Sequence, residues 1–218
     1  MGQSFALGYL VFLLKGALWT IGLSLIALFF GGILALIVAL CRISARKGLR
    51  LITALYIQII QGTPVLVIIF LIYFGLPSLG WSVSPLLAAS ISLSVYVSAY
   101  LGESWRGSIQ SVPRAQWEAA ECLALSRAQR MLKVVLPQAV RIATPPTVGF
   151  MVQIVKNTSL ASIVGFIELV RAGQIINNTI FQPFFIYLLI AALYFAMCYP
   201  LSILSRRLEM RAGEKSYA

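Results

Sequence analysis

Long uncharged apolar runs alternate along this chain with short segments that gather nearly all of its basic residues. From Gly16 to Cys41 no charge intervenes, a run of 26 residues where roughly 20 suffice to cross the hydrocarbon core of a bilayer. The stretch between Arg50 and Glu103 is also uncharged but too long for one helix. Gly75-Leu76-Pro77-Ser78-Leu79-Gly80-Trp81-Ser82-Val83-Ser84-Pro85 divides it, because Gly and Pro at that density mark a loop, and Trp81 suits a membrane interface. A fourth run follows Pro145-Pro146, with Lys156 near its middle, and a fifth opens at Pro183 and stops before Arg206-Arg207. The first run lacks a preceding basic segment and is too long for a secretory signal core, so it reads as a span. The pattern predicts an all-α membrane protein, one transmembrane domain over 1–218. Its five transmembrane helices lie at about 16–40, 53–75, 85–104, 147–166 and 183–205.

Composition agrees. Hydrophobic residues make up 60% of the chain and charged ones 11%, with a mean hydropathy of +0.93, whereas soluble domains carry about 25% charged residues. A soluble globular enzyme and a disordered basic tail are both excluded. All six acidic residues are Glu, and Asp and His are absent. His-dependent triads, His-ligated metal sites and Walker B carboxylates are therefore missing. No Gly-Lys pair exists to build a phosphate-binding loop. We assign no catalytic residue, metal or cofactor, and any ATP that drives the protein binds another chain. Cys41, Cys122 and Cys198 are far apart and read as reduced, small apolar residues. Of the 17 basic residues, 14 fall in 41–52, 104–141 and the tail from 206, all on one side of a five-span topology. The positive-inside rule makes that side cytoplasmic, with the N-terminus outside and the C-terminus inside. The net charge of +11 is thus a topology signal, not a nucleic-acid footprint.

Ala27, Gly31, Ala35 and Ala39 recur every fourth residue in the first span, and Ser90, Ser94, Ser98 and Gly102 do so in the third. Such rows let backbones approach closely in lipid, although small residues are common in membrane helices anyway. No internal repeat is evident, which weighs against inverted-repeat secondary carriers.

The longest polar stretch, about 112–137, is rich in helix formers and too polar to span. Trp117, Ala120, Leu123 and Ala124 fall on one helical face, with Glu118 and Glu121 beside them. The spacing predicts a short surface helix, a break near Ser126 and a second amphipathic piece ending at Pro137. Taken alone, such a helix can simply lie on lipid headgroups. Its residues, however, resemble the EAA loop of bacterial ABC importer permeases: Glu118-Ala119-Ala120 match, Val134 takes the conservative Ile place, and Leu136-Pro137 fall in register. Ala124 stands where that pattern has Gly, so the turn is expected either to shift towards Ser126 or to be strained. Gln61-Gly62-Thr63-Pro64, Ala99-Tyr100-Leu101-Gly102-Glu103 with Arg106-Gly107, Lys156-Asn157-Thr158-Ser159-Leu160 and Asn177–Phe184 resemble, in order, elements of the polar amino acid permeases.

That resemblance implies a type I ABC importer permease-like fold, a cytoplasmic coupling helix, and a transmembrane subunit that forms the translocation pathway. The implied partners are a second permease subunit (a copy or a sister chain), two ATP-binding cassette subunits inside, a solute-binding protein outside, and a polar amino acid as substrate. Coupling residues by this likeness are Glu118, Ala119, Ala120, Ala124, Leu136 and Pro137. The residues themselves point to a polar face. An ammonium at mid-helix costs roughly 2.5–3.5 kcal/mol on insertion scales, so Lys156 should avoid lipid. Gln153, Lys156 and Asn157 stand at i, i+3 and i+4 with Gly149 one turn earlier, and Thr158, Ser159 and Ser162 add hydroxyls. This face can receive a substrate carboxylate, or Lys156 can pair with Glu103 or backbone carbonyls. Glu103 can equally meet Arg106 on the next turn. Thr63 belongs to a Gly-Thr-Pro element that loosens its helix, whose freed carbonyl can serve a ligand or a neighbour. Thr63 and Glu103 join Gln153, Lys156, Asn157, Thr158 and Ser159 as substrate-binding candidates. Glu168 and Arg171 are expected outside, either against the delivering protein or as a solvated loop pair. The rival readings are an ion-gradient-driven secondary transporter and a membrane-embedded enzyme or assembly factor.

Overall fold

The computed structural model describes the backbone of residues 2–214 and the side chains of 7–210; the Arg211 side chain and Lys215, both counted in the basic tail, lie outside the described residues. The elements are α1 (Gly2–Arg42), α2 (Lys47–Gly62), α3 (Val65–Ser78), α4 (Pro85–Gln110), α5 (Arg114–Cys122), α6 (Arg127–Gln129), α7 (Leu136–Asn157), α8 (Leu169–Ile180) and α9 (Pro183–Glu214). A π-helical turn, Arg130–Val135, fuses α6 to α7, and a 3₁₀ turn, Thr158–Val164, extends α7. No strand occurs among the described residues. Four helical stretches are long and apolar enough to cross a membrane, and α2 with α3 makes a fifth if that bent pair is one span.

Three boundaries differ from the sequence pattern. The second predicted span, 53–75, is broken at Thr63-Pro64, where α2 and α3 meet at 101°. Pro64 disfavours helical backbone in the residue before it, and Thr63 accordingly has φ −109° and ψ 130°. The fourth span does not start after Pro145-Pro146. Both prolines lie inside α7, and Pro137 sits in its first turn, directly after the π-helical turn. Pro145 and Pro146 each remove the helical donor to the carbonyl four residues earlier, on Arg141 and Ile142; Ser205 of α9 donates its hydroxyl to the Pro145 carbonyl at 3.1 Å and ties the two helices there. Lastly, α8 occupies a stretch that the pattern leaves as loop.

The main core lies along α1 and α4, and the two rows of small residues form the seam. Ala27, Ala35 and Ala39 are buried, as are Ser94 and Ser98. A Cβ on Gly31 would lie 2.5 Å from the Val97 Cβ and 2.8 Å from the Ser94 carbonyl, and one on Gly102 would lie 2.8 Å from a Val38 methyl. Only a bare Cα permits that approach. Leu23, Leu93, Val97 and Ile154 fill the space around the seam, and a second cluster of Leu13, Leu169, Ile176, Ile186 and Ile190 joins α1, α8 and α9. Phe29, Phe30, Phe184 and Phe195 point outward with most of their surface exposed, as lipid-facing side chains do.

Glu168 is a correction to the sequence reading, which expects it either against the delivering protein or in a solvated loop pair. It is fully buried and caps α8: its carboxylate accepts from the backbone N–H of Val170 at 3.0 Å and of Arg171 at 2.9 Å, from the Tyr194 hydroxyl at 2.9 Å and from Thr20 at 3.4 Å. Burial pushes the carboxyl above its ordinary range, against the downward pull of these four bonds. A carboxylate at a helix N-terminus meets unsatisfied N–H groups and a favourable dipole. Here it also ties α1, α8 and α9 together.

Candidate functional site

Two regions carry the chemistry: the polar segment between α4 and α7, and the polar face near the end of α7.

Pro113 ends α4's approach and opens α5. Trp117 packs inward against a cluster of Ile109, Val112, Val135 and Ala139, and Ala120, one turn on, is 2% exposed. Glu118 and Ala119 face outward. Of the residues that the family likeness assigns to coupling, Ala120 packs within this chain, on the side of α5 that also carries Trp117. Helix α5 ends in a Schellman motif. The Leu125 N–H reaches the Ala120 carbonyl at 3.2 Å, and the Ala124 N–H reaches Glu121 at 2.8 Å. Ala124 therefore adopts φ 55°. The turn does not shift towards Ser126; it remains at the Gly place of the pattern and an alanine bears the strain. Ser126 then caps α6 in a reciprocal capping box with Gln129. An ion pair from Arg130 to Glu121 at 2.8 Å and a bond from Gln138 to Gln116 at 3.3 Å fasten the segment to α7. Leu136 is half-buried, and Pro137 is exposed at the start of α7 rather than ending an amphipathic piece.

On α7 the predicted polar face divides. Gln153 donates to the Asn157 carbonyl oxygen at 3.4 Å. Near them Phe150 stacks on Tyr96 and Tyr100, with ring centroids 6.0 and 5.5 Å away. Lys156 turns the other way, into a recess of about 410 Å³ that it lines with Tyr194, Cys198, Tyr199, Ser202 and Arg206 of α9. Thr158, Ser159 and Ser162 donate to the carbonyls of Val155, Lys156 and Ser159, each within 2.7 Å. Their lone pairs stay free to accept. Gln153 and Asn157 thus stay paired on one flank of α7 while Lys156 lies on the other, and Thr63 and Glu103 share no hydrogen bond or ion pair with Gln153, Lys156, Asn157, Thr158 or Ser159. Thr63 bonds back to the Ile59 carbonyl at 2.7 Å. Glu103 sits between Arg106 at 2.5 Å and Arg42 at 3.4 Å. No ion pair to Lys156 occurs among the described residues.

The sequence reading passed over the α9 wall of this recess. Its signal was present: Tyr194, Cys198, Ser202 and Arg206 are spaced four apart, a polar stripe on an otherwise apolar helix. Only the packing of α9 on α7 shows that it faces Lys156.

A bundle of apolar helices with a short polar helical segment between two of them has the architecture of a multi-pass membrane protein. Residues 27–214 match the family of binding-protein-dependent transport system inner membrane components, and this chain belongs to that family: it is an ABC importer permease subunit of a bacterial membrane. It is similar to a probable amino-acid ABC transporter permease protein of Bacillus subtilis, YckA, at 36% identity over 92% of this chain and 88% of the relative. A second relative from the same organism is the L-cystine transport system permease protein TcyB, at 38% over 90% and 84%. Its fold matches the crystal structure of an amino acid ABC transporter with histidines, at TM-score 0.89 and 33% identity, over 94% of this chain and 96% of the other. The fold also matches an inward-facing MetNI methionine ABC transporter, at TM-score 0.77 and 17% identity, over 93% and 97%.

Proposed function

We propose that this chain forms half of the translocation pathway of an importer for polar amino acids, with Lys156 as the cation that meets the substrate carboxylate. The observation that carries this reading is that Lys156 is exposed on a membrane-spanning helix, opens on a recess, and has no ion-pair partner among the described residues. An unpaired ammonium at membrane depth is costly, and a substrate carboxylate offsets that cost while it passes. Tyr199 and Ser202, which line the same recess, supply apolar and hydrogen-bonding surface for the rest of an amino acid. The relatives named as amino-acid and cystine permeases, and the solved amino acid transporter, support the substrate class.

The assembly in this reading has two permease subunits, identical or paired with a sister chain, two ATP-binding cassette subunits on the basic side, and a solute-binding protein opposite. The N-terminus lies outside and the C-terminus in the cytoplasm, and this subunit itself makes or breaks no bond. Helix α5 docks on the ATP-binding subunit through Glu118 and Ala119. Its inner face rests on Ile109 and Val112, at the end of α4 and just beyond it, and on Val135 and Ala139, at the entrance to α7 and within it. A push on α5 therefore reaches both helices that flank the pathway.

Two measurements test this. Lys156→Met should leave complex assembly intact while uptake falls at least about tenfold, since tenfold corresponds to only about 1.4 kcal/mol of lost interaction; undiminished uptake with undiminished affinity would overturn the assignment. Ala119→Arg and Glu118→Lys should insert normally yet abolish stimulation of the copurified ATPase by the loaded binding protein. Full stimulation in Ala119→Arg would remove α5 from the coupling path, and a harmless Glu118→Lys would favour a helix that merely lies on anionic lipid.

A further inference from the structure

We infer that the basic end of the bundle holds the phosphate headgroup of an anionic phospholipid, in a recess between the α1–α2 corner and the coupling segment. The recess measures about 470 Å³, and its lining includes Arg42, Arg50, Arg127 and Arg130 but no acidic residue. Two carboxylates already pair with arginines of this region: Glu103 with Arg106 and Arg42, and Glu121 with Arg130. Arg50 and Arg127 have no acidic partner among the described residues, and the Arg130 Nε is buried with no hydrogen-bond partner. Four guanidinium groups around one cavity, two of them uncompensated, fit a phosphate, which their planar forks bind in bidentate fashion.

The second observation selects a lipid over a free anion. Ile109 also lines a neighbouring groove of about 480 Å³ between α1, α4 and α7, walled almost wholly by apolar side chains such as Leu40, Ala143 and Met151. A charged recess and an apolar groove that share a wall match a ligand with an anionic head and hydrocarbon chains. An inorganic phosphate, or an acidic loop of a partner protein, would occupy only the first. The rim is also membrane-facing: on α2, just past Arg50, the side chains of Leu51, Ile52, Leu55 and Ile59 are more than half exposed. Basic pockets on the cytoplasmic side of membrane helices suit anionic headgroups; only the naming of that leaflet rests on the orientation proposed above. A lipid seated here bridges the α1–α2 corner to Arg127 and Arg130 of the coupling segment, so it would brace the segment from behind.

The test uses the full-length permease assembled with its ATP-binding subunits, followed by native mass spectrometry with phosphatidylglycerol, phosphatidylcholine or inorganic phosphate. Arg50→Gln with Arg127→Gln strands no carboxylate, so assembly should persist. Phosphatidylglycerol retention should nevertheless fall about thirtyfold, as two surface arginines are worth together, with phosphatidylcholine retention unchanged. Ala143→Phe, which fills the groove and spares the arginines, should also weaken phosphatidylglycerol retention. Three results would overturn the proposal. One is equal phosphatidylglycerol retention in the double variant. Another is a null effect of Ala143→Phe together with complete displacement by excess inorganic phosphate, which makes the ligand a free anion. The third is uptake of the lipid only after the ATP-binding subunits are stripped, which makes an acidic surface of that partner the occupant.

Discussion

The α1–α4 seam and the coupling segment solve the same problem, fixing one helix relative to another, by opposite means. In the seam nothing is charged. Gly31 and Gly102 let Val97 and Val38 reach the facing backbone, Ser94 donates within its own helix to the Ser90 carbonyl at 2.7 Å, and Ser98 also meets the Tyr56 hydroxyl of α2 at 2.6 Å. In lipid no hydrophobic force draws two apolar helices together, so close packing must do it. The coupling segment is polar and short, and isolated nine-residue helices are marginal. It is held by a small apolar cluster, a Schellman turn, a capping box and one ion pair. The seam is therefore intolerant of volume, while the segment is sensitive to the loss of single polar groups.

The largest effect should come from the seam. Gly31→Val places two methyls into Val97 and is expected to cost about 3 kcal/mol or to prevent assembly. Gly32→Val, at a position where an added Cβ meets nothing within 4 Å, should be tolerated. Thermal midpoints of the two variants in detergent give the contrast, and equal midpoints would dissolve the distinction between packed and open faces of α1. Next in size is Ser126→Ala, which removes the cap of α6 and should cost about 1 kcal/mol. Hydrogen exchange would show the loss confined to 114–135, and a loss spread over α1 and α4 would mean that the segment is not independently fastened. The smallest effect is a gain. Ala124→Gly relieves the φ of 55° and should stabilise the turn by roughly 0.5–1 kcal/mol, the steric cost of the left-handed region less the extra entropy glycine loses. No gain would mean that the Schellman turn absorbs the strain elsewhere.

The sequence by itself determined that this is a helical membrane protein, because charge-free runs longer than a bilayer leave the backbone no other way to satisfy its hydrogen bonds. It marked the polar segment proposed to couple through Glu118-Ala119-Ala120 and Leu136-Pro137, and it flagged Lys156 through the cost of an isolated cation. The small-residue rows named the two faces that meet, though not that they meet each other. Tertiary structure decided the rest. Ala120 is buried because the face of α5 that it shares with Trp117 is the one turned towards the rest of the chain. Glu168 is buried because three helices converge on it, a fact absent from its neighbours in sequence. Thr63-Pro64 bends the chain through 101°, where the pattern sets only a preference. Lys156 parts from Gln153 and Asn157 because α9 packs on one flank of α7. Periodicity fixes which residues share a helix face to within a turn, but which neighbour covers each half of that face depends on contacts between residues far apart in the chain.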